Sequence, residues 1–165
     1  DAELSRAESA PIDIGKMLET LADVYSETLA DGPVLRLNLV DVDNLDVIGI
    51  ESRLVQVFRN LIGNAISFSP PSGVITLEGK RDGRFVRVQI SDEGPGIPDD
   101  KLEKIFDRFY SARPEGEKFG THSGLGLSIS KQIIEAHGGR LWAENRRDTG
   151  GNVRGARFIV RLPAG

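Results

Sequence analysis

The sequence predicts an α/β protein: a two-layer sandwich in which one mixed sheet is covered on one face by helices. Three observations lead there. Segments around 13–30, 51–68 and 124–137 repeat apolar residues at helical spacing. Other segments alternate apolar and polar residues as half-buried strands do, most clearly the pair at 74–80 and 85–92. Helices and hairpins are interleaved with no regular βαβ rhythm, which points to one sheet with helices on a single side.

Residues 1–11 are polar, lead to Pro11 and read as a linker from a preceding domain, with one domain following over 12–165. Ile14, Met17, Leu18, Leu21, Val24 and Tyr25 give the first helix its apolar stripe, and Asp31-Gly32-Pro33 stops it. Leu35, Leu37 and Leu39 alternate with polar residues as a strand, and a short extended piece is expected around 46–50. The clearest helix, 51–68, carries Leu54, Val57, Phe58, Leu61, Ala65 and Phe68 on its apolar side and ends at Ser69-Pro70-Pro71-Ser72-Gly73. The hairpin strands that follow are joined by Arg81-Asp82-Gly83-Arg84, with Val86, Val88 and Ile90 on one face. A glycine-rich turn leads into a short helix near 99–106, and the polar stretch 111–123 has no periodicity. Leu125, Ile129, Ile133 and Ala136 line the helix at 124–137, which Gly138-Gly139 terminates. Strands near 140–145 and 154–162 complete the chain.

Composition bounds the function. A chain of 165 residues suits one domain with a real core. A net charge of −4 argues against nucleic acid as the main partner. The absence of cysteine excludes disulfides and thiolate metal sites, and fits a reducing compartment. No apolar run approaches the roughly 18 residues of a membrane span, and no signal peptide is visible. The first residue is Asp1 rather than Met, so the chain reads as a fragment of a longer protein, with any membrane anchor outside it.

Four groups of residues carry chemistry. In the helix at 51–68, Gln56, Asn60 and Asn64 are four apart and stack on the face opposite the apolar stripe. Asparagine is a poor helix former, so two on one face need a reason. They either form a hydrogen-bonded polar face against a loop or hold a hydrated magnesium ion, which one amide oxygen and nucleotide phosphates can bind. In Ser91-Asp92-Glu93-Gly94-Pro95-Gly96-Ile97-Pro98, a carboxylate ends a strand just before a Gly-x-Gly turn. It is either a polar turn or an acceptor for an exocyclic amine such as that of adenine. Gly120-Thr121-His122-Ser123-Gly124-Leu125-Gly126-Leu127 runs into a helix whose free N–H groups favour phosphates. It matches neither a Walker A loop nor a Rossmann fingerprint. Phe106-Asp107-Arg108-Phe109-Tyr110, taken alone, is an aromatic anchor under a loop.

In order and spacing, these groups resemble the catalytic ATP-binding domain of sensor histidine kinases, in the superfamily shared with gyrase, MutL and heat-shock chaperone ATPases. Asn60-Leu61-Ile62-Gly63-Asn64-Ala65 resembles that family's N box, and Asp92-Glu93-Gly94-Pro95-Gly96 its G1 box. Phe106-Asp107-Arg108-Phe109 is similar to the F box, Gly124-Leu125-Gly126-Leu127 to the G2 box, and Gly155-Ala156-Arg157-Phe158 to the final glycine motif. The resemblance spans about 11–162. It implies the Bergerat fold, a mobile ATP lid between the F and G2 boxes, and ATP and Mg2+ as cofactors. It implies Asn64 as the magnesium ligand, Asp92 as the adenine reader, and Asn60, Asn64 and Arg108 as the catalytic set. The ATP contacts it implies are Asn64, Phe68, Asp92, Gly94, Gly96, Ile97, Lys118, Gly124, Leu125, Gly126 and Leu127. Many relatives carry a basic residue where this chain has Ser67, which leaves Arg108, Arg113 or Lys118 to supply that charge.

Within the superfamily, hydrolytic members have glutamate four residues before the metal-binding asparagine; this chain has Asn60 there. An amide cannot take a proton as a carboxylate does, so the γ-phosphate is spared for another acceptor. His122 falls in the implied lid, and His137 precedes Gly138-Gly139 at a helix end. Neither is in the acceptor's context, so the acceptor histidine is expected on a dimerisation domain N-terminal to Asp1, and His137 is read as structural. The function implied is ATP-dependent phosphotransfer to that histidine, with a response regulator as a further partner, no nucleic acid, and a monomeric isolated domain. The location implied is the cytoplasmic part of an inner-membrane sensor. The alternatives are a nucleotide-binding interaction module without phosphotransfer and an ATPase of the gyrase or MutL type.

Overall fold

A computed structural model describes residues 9–29, 31–108 and 126–165. The elements are β1 (Ala10–Asp13), α1 (Ile14–Thr28), β2 (Val34–Leu39), β3 (Asp46–Gly49), α2 (Glu51–Phe68), β4 (Val74–Asp82), β5 (Phe85–Ser91), α3 (Gly126–Ala136), β6 (Arg140–Arg147) and β7 (Val153–Pro163). Five strands form one sheet in the order β2-β4-β5-β7-β6, and β1 pairs with β3 alone. Only β2–β4 is parallel, and the other pairs are antiparallel, so the sheet is mixed.

Periodicity explains the layering. Leu18 and Leu21 of α1, Leu54, Phe58, Leu61 and Ala65 of α2, and Ile133 and Ile134 of α3 are buried in one core. They meet Ile75 and Leu77 of β4, Val86, Val88 and Ile90 of β5, and Phe158, Val160 and Leu162 of β7. Each fully buried Leu, Ile or Phe contributes about 1.5–3 kcal/mol, so this face of the sheet is what the helices are held to. Asp13 caps α1 by accepting from the Lys16 N–H at 3.1 Å.

His137 joins the end of α3 to the start of α2. Its Nδ1 lies 2.8 Å from the Ile133 carbonyl and its Nε2 accepts from the Ile50 N–H at 3.1 Å, which requires the neutral ring with the proton on Nδ1. A methyl group at Gly49 would lie 2.5 Å from that ring, so the glycine makes room for it. The structural reading of His137 agrees with this arrangement.

Two residues expected on apolar stripes, Val24 of α1 at 52% exposure and Ala136 of α3, face solvent instead, and the secondary structure differs from the sequence reading in three places. Ala10 and Pro11, read as the end of a linker, pair with Gly49 and Ile48 in β1–β3. The short helix expected near 99–106 is instead two 3-10 turns, Asp99–Lys101 and Lys104–Phe106. Each closes with i→i+3 bonds, too few to nucleate an α-helix. The last hairpin extends further than expected because Asp148 organises its turn. Its carboxylate accepts from the Asn152 and Gly150 N–H groups and from Arg154 Nε. These bonds, the Asn152 one foremost, hold its carboxyl below the ordinary 3.8. The resulting stability is full above that value and is lost as pH falls from it through the lowered one. An Asp148→Ala chain should therefore show a shallower loss of melting temperature below about pH 4 than the parent; equal acid dependence would remove Asp148 from that role.

Candidate nucleotide-binding site

The amide stripe of α2 divides into two roles. Asn60 Nδ2 donates to the Gly126 carbonyl at 3.3 Å and to Ser130 Oγ at 3.1 Å. It therefore ties α2 to the N-terminal turn of α3, where the glycine-rich motif enters its helix. The Gly126 carbonyl can only accept and needs a donor on residue 60, which a glutamate could not supply. Asn64, one turn further on, is half-buried, and its side-chain amide has no hydrogen-bond partner among the described residues. That amide is available to a ligand, and its oxygen is the right donor type for magnesium.

Asp92 is 2% exposed at the end of β5. Its Oδ1 accepts from the Gly94 N–H at 2.9 Å and the Ala156 N–H at 3.0 Å. Oδ2 has no hydrogen-bond partner among the described residues, which leaves one buried, oriented acceptor. Burial raises its pKa above 3.8; the bonds from Ala156 and Gly94 and the charge of Arg146 oppose that shift. Such an oriented acceptor suits an exocyclic amine and is unpaired against a carbonyl.

The turn after Asp92 is held from three sides. Gly94 lies against the end of α2, where a methyl group would come within 2.6 Å of the Phe68 carbonyl. Gly96 has φ +81, and a methyl there would meet Val153 and Asn145. Asn145 Oδ1 accepts from the Ile97 N–H at 2.7 Å, and its Nδ2 donates to the Ile97 carbonyl at 2.5 Å. Arg146 donates to the Asp92 carbonyl at 2.6 Å. Asn145 and Arg146 were not found from the sequence: they sit on β6, outside every motif, and their only signal was two polar residues at a strand end.

Thus Phe68, Asp92, Gly94, Gly96 and Ile97 come together at one end of α2, and Asn60 and Gly126 meet along it. Leu127 is half-buried against the core. Phe106 anchors the third motif, its ring edge-on to Phe158 at 6.1 Å, and Arg108 is exposed two residues beyond it. Lys118, Gly124 and Leu125, the alternative cation Arg113, His122 and the lid expected at 111–123 lie outside the described residues.

Asn64→Ala should reduce magnesium-dependent ATP binding at least tenfold with no loss of folding, since the residue makes no side-chain bond within the described structure. Calorimetry with and without magnesium checks it; unchanged affinity in both conditions would take Asn64 out of the site.

The sequence matches the family of histidine kinase-, DNA gyrase B- and HSP90-like ATPases over residues 49–165. It is 44% identical over 173 aligned positions to the sensor protein ChvG of Rhizobium meliloti (strain 1021), covering 100% of this chain and 30% of that protein. The fold is similar to the nucleotide-free catalytic domain of the histidine kinase ThkA, with a TM-score of 0.79 and 30% identity over 94% of this chain and 95% of that one. It is also similar to ThkA in complex with the response regulator protein TrrA, with a TM-score of 0.72 and 28% identity over 95% of this chain and 42% of that one. The chain spans about a third of the length of the curated relatives it matches.

Proposed function

The chain belongs to the histidine kinase-, DNA gyrase B- and HSP90-like ATPase family, and within it we propose the role of a protein-histidine kinase catalytic domain. It binds ATP and passes the γ-phosphoryl group to a histidine on a separate dimerisation domain. The observation that carries this reading is the bonding of Asn60. Where a hydrolytic relative would hold a carboxylate beside water, this chain has a donor amide committed to Gly126 and Ser130. Water is left without a base, so the phosphoryl group waits for a better nucleophile.

The geometry supports the following roles. Asp92 Oδ2 accepts from the adenine amine, and Phe68 and Ile97 flank the base. The first turn of α3 offers its N–H groups to the phosphates. Asn60 keeps that turn at a fixed distance from the amide of Asn64, so it is a positioning residue. A magnesium ion on the Asn64 oxygen and the nucleotide's own phosphates would neutralise charge on the transferred group. The acceptor imidazole nitrogen then attacks the γ-phosphorus, the bond to the bridging oxygen breaks, and ADP leaves. Arg108, next to the anchored Phe106, is the described cation assigned to the phosphates. A response regulator is the further partner in this reading, as TrrA is the partner of ThkA in their complex. Its place is the cytoplasmic side of an inner-membrane sensor, consistent with a chain free of cysteine.

Incubation with γ-labelled ATP and magnesium should leave this chain unlabelled and release little phosphate. Adding a dimerisation domain that carries the acceptor should produce acid-labile label on that domain. Rapid phosphate release without acceptor would favour the ATPase reading; tight ATP binding with no transfer to any acceptor would favour the interaction module.

A further inference from the structure

The helices cover one face of the five-stranded sheet, and no described helix covers the other. That open face is built from the alternates of the core residues. The strand register sets Lys80 of β4 opposite Arg87 of β5, Arg87 opposite Arg161 of β7, and Arg161 opposite Arg140 of β6. Four cations therefore stand in one row across four neighbouring strands. Like charges directly opposite one another destabilise a sheet, so folding alone does not select this row.

The arginines are also held in place. The Arg161 guanidinium lies 3.8 Å from the Phe85 ring centroid, and those of Arg140 and Arg87 lie 4.8 and 5.6 Å from that of Trp142. Arg87 Nε and Arg161 Nε are buried with no hydrogen-bond partner among the described residues. Among the described residues the row makes one ion pair, Arg87 with the half-exposed Asp82 at 3.9 Å, a weak pair in water. Lys80, Arg140 and Arg161 have no ion-pair partner among the described residues. This concentration of positive charge runs against the chain's net −4.

We infer that this row is a docking surface for an acidic helix of a protein partner. Neighbouring strands are about 4.8 Å apart. A helix lying across them presents residues i, i+4, i+7 and i+11 along one stripe, with steps of roughly 4.5–6 Å. One carboxylate then falls over each cation. Stacked guanidinium planes match carboxylates as rigid forks, whereas a diffuse anionic surface asks only for mobile charge. The same face carries Glu78, Glu144 and Asp82 beside the row, which weakens a membrane surface more than a helix that threads its carboxylates between them. The surface lies on the side of the sheet away from the helices, so its failure would leave the phosphotransfer reading standing.

Trp142 is the only tryptophan and lies beside two of the four cations, so its emission reports occupancy. The probe is a stapled helical peptide with glutamate at i, i+4, i+7 and i+11. It should give a saturable change in emission that weakens as salt is raised, and the peptide with glutamine at those positions should give none. Lys80→Glu with Arg140→Glu, both exposed ends of the row, should weaken the peptide at least tenfold and leave nucleotide affinity unchanged. No saturable change with the parent chain, or equal binding of the two peptides, overturns the proposal whatever the double variant does. So does tighter binding to phosphatidylserine vesicles or to a DNA oligonucleotide than to the acidic peptide.

Discussion

Asp92→Asn should weaken ATP roughly ten- to hundredfold while the chain stays folded and no less heat-stable at neutral pH. The asparagine oxygen can keep the bonds that Oδ1 takes from Gly94 and Ala156. Its amide then replaces Oδ2 and points a donor at the adenine amine, another donor. Leaving such a pair unmatched in a buried site costs about 1–3 kcal/mol, which is that range in affinity. Stability moves the other way. Burial raises the pKa of Asp92, so the folded chain holds this proton to higher pH than the unfolded one. Its favourable contribution is present below 3.8 and lost as pH rises through the raised value, so at neutral pH the charge is a burden the amide removes. The variant should also bind GTP relatively better, because a carbonyl can accept from the new amide. Calorimetry with both nucleotides and thermal melts at neutral pH check the three parts. Undiminished ATP affinity in a folded variant would show that Asp92 does not read the base, and a large drop in melting temperature would show that its charge is structural.

Much of this site is legible in the sequence because its parts are local. Asn60 and Asn64 are one helical turn apart, so their common face follows from the pitch, and Asp92 before Gly94 and Gly96 marks a strand end and a tight turn. The core follows from the period as well, since Val86, Val88 and Ile90 must share a face and that face must be covered. What the sequence hides depends on register between distant strands. Asn145 reaches Ile97 only because β6 lies beside β7, at the far edge of the sheet from β2. The cation row is hidden for the same reason: Lys80, Arg87, Arg140 and Arg161 are unremarkable surface residues until strand order aligns them. The role of Asn60 is a subtler case. Its identity argues against hydrolysis on chemical grounds, and only the fold supplies the acceptors that make it a strut between two helices.

Gly155→Ala should be the most damaging added methyl among the described glycines, lowering both stability and nucleotide affinity. Gly155 has φ +146, a backbone conformation that L side chains rarely adopt. A methyl there would overlap the Asp92 carbonyl oxygen and lie 3.1 Å from Glu93 Cα, and neither is a flexible side-chain end that can swing away. The clash falls where β7 fixes the acidic turn. The Asp92 N–H donates to the Ala156 carbonyl at 2.9 Å, and the Ala156 N–H donates back to Asp92 Oδ1 at 3.0 Å. Relieving the overlap moves β7 away from β5 and lengthens both bonds, so the carboxylate loses the support that aims Oδ2. Backbone strain and overpacking together cost about 2–4 kcal/mol, which lowers the melting temperature of a chain this size by roughly 5–15 °C. Gly151→Ala is the control. Its φ is +82, but a methyl there meets nothing within 4 Å, so it carries the conformational strain without the clash. It should cost about 1 kcal/mol and leave ATP affinity unchanged. Thermal melts and calorimetry on both variants separate the two terms. If Gly155→Ala melts and binds as Gly151→Ala does, the contact between β7 and the Asp92 turn is not what holds the base-reading carboxylate in place.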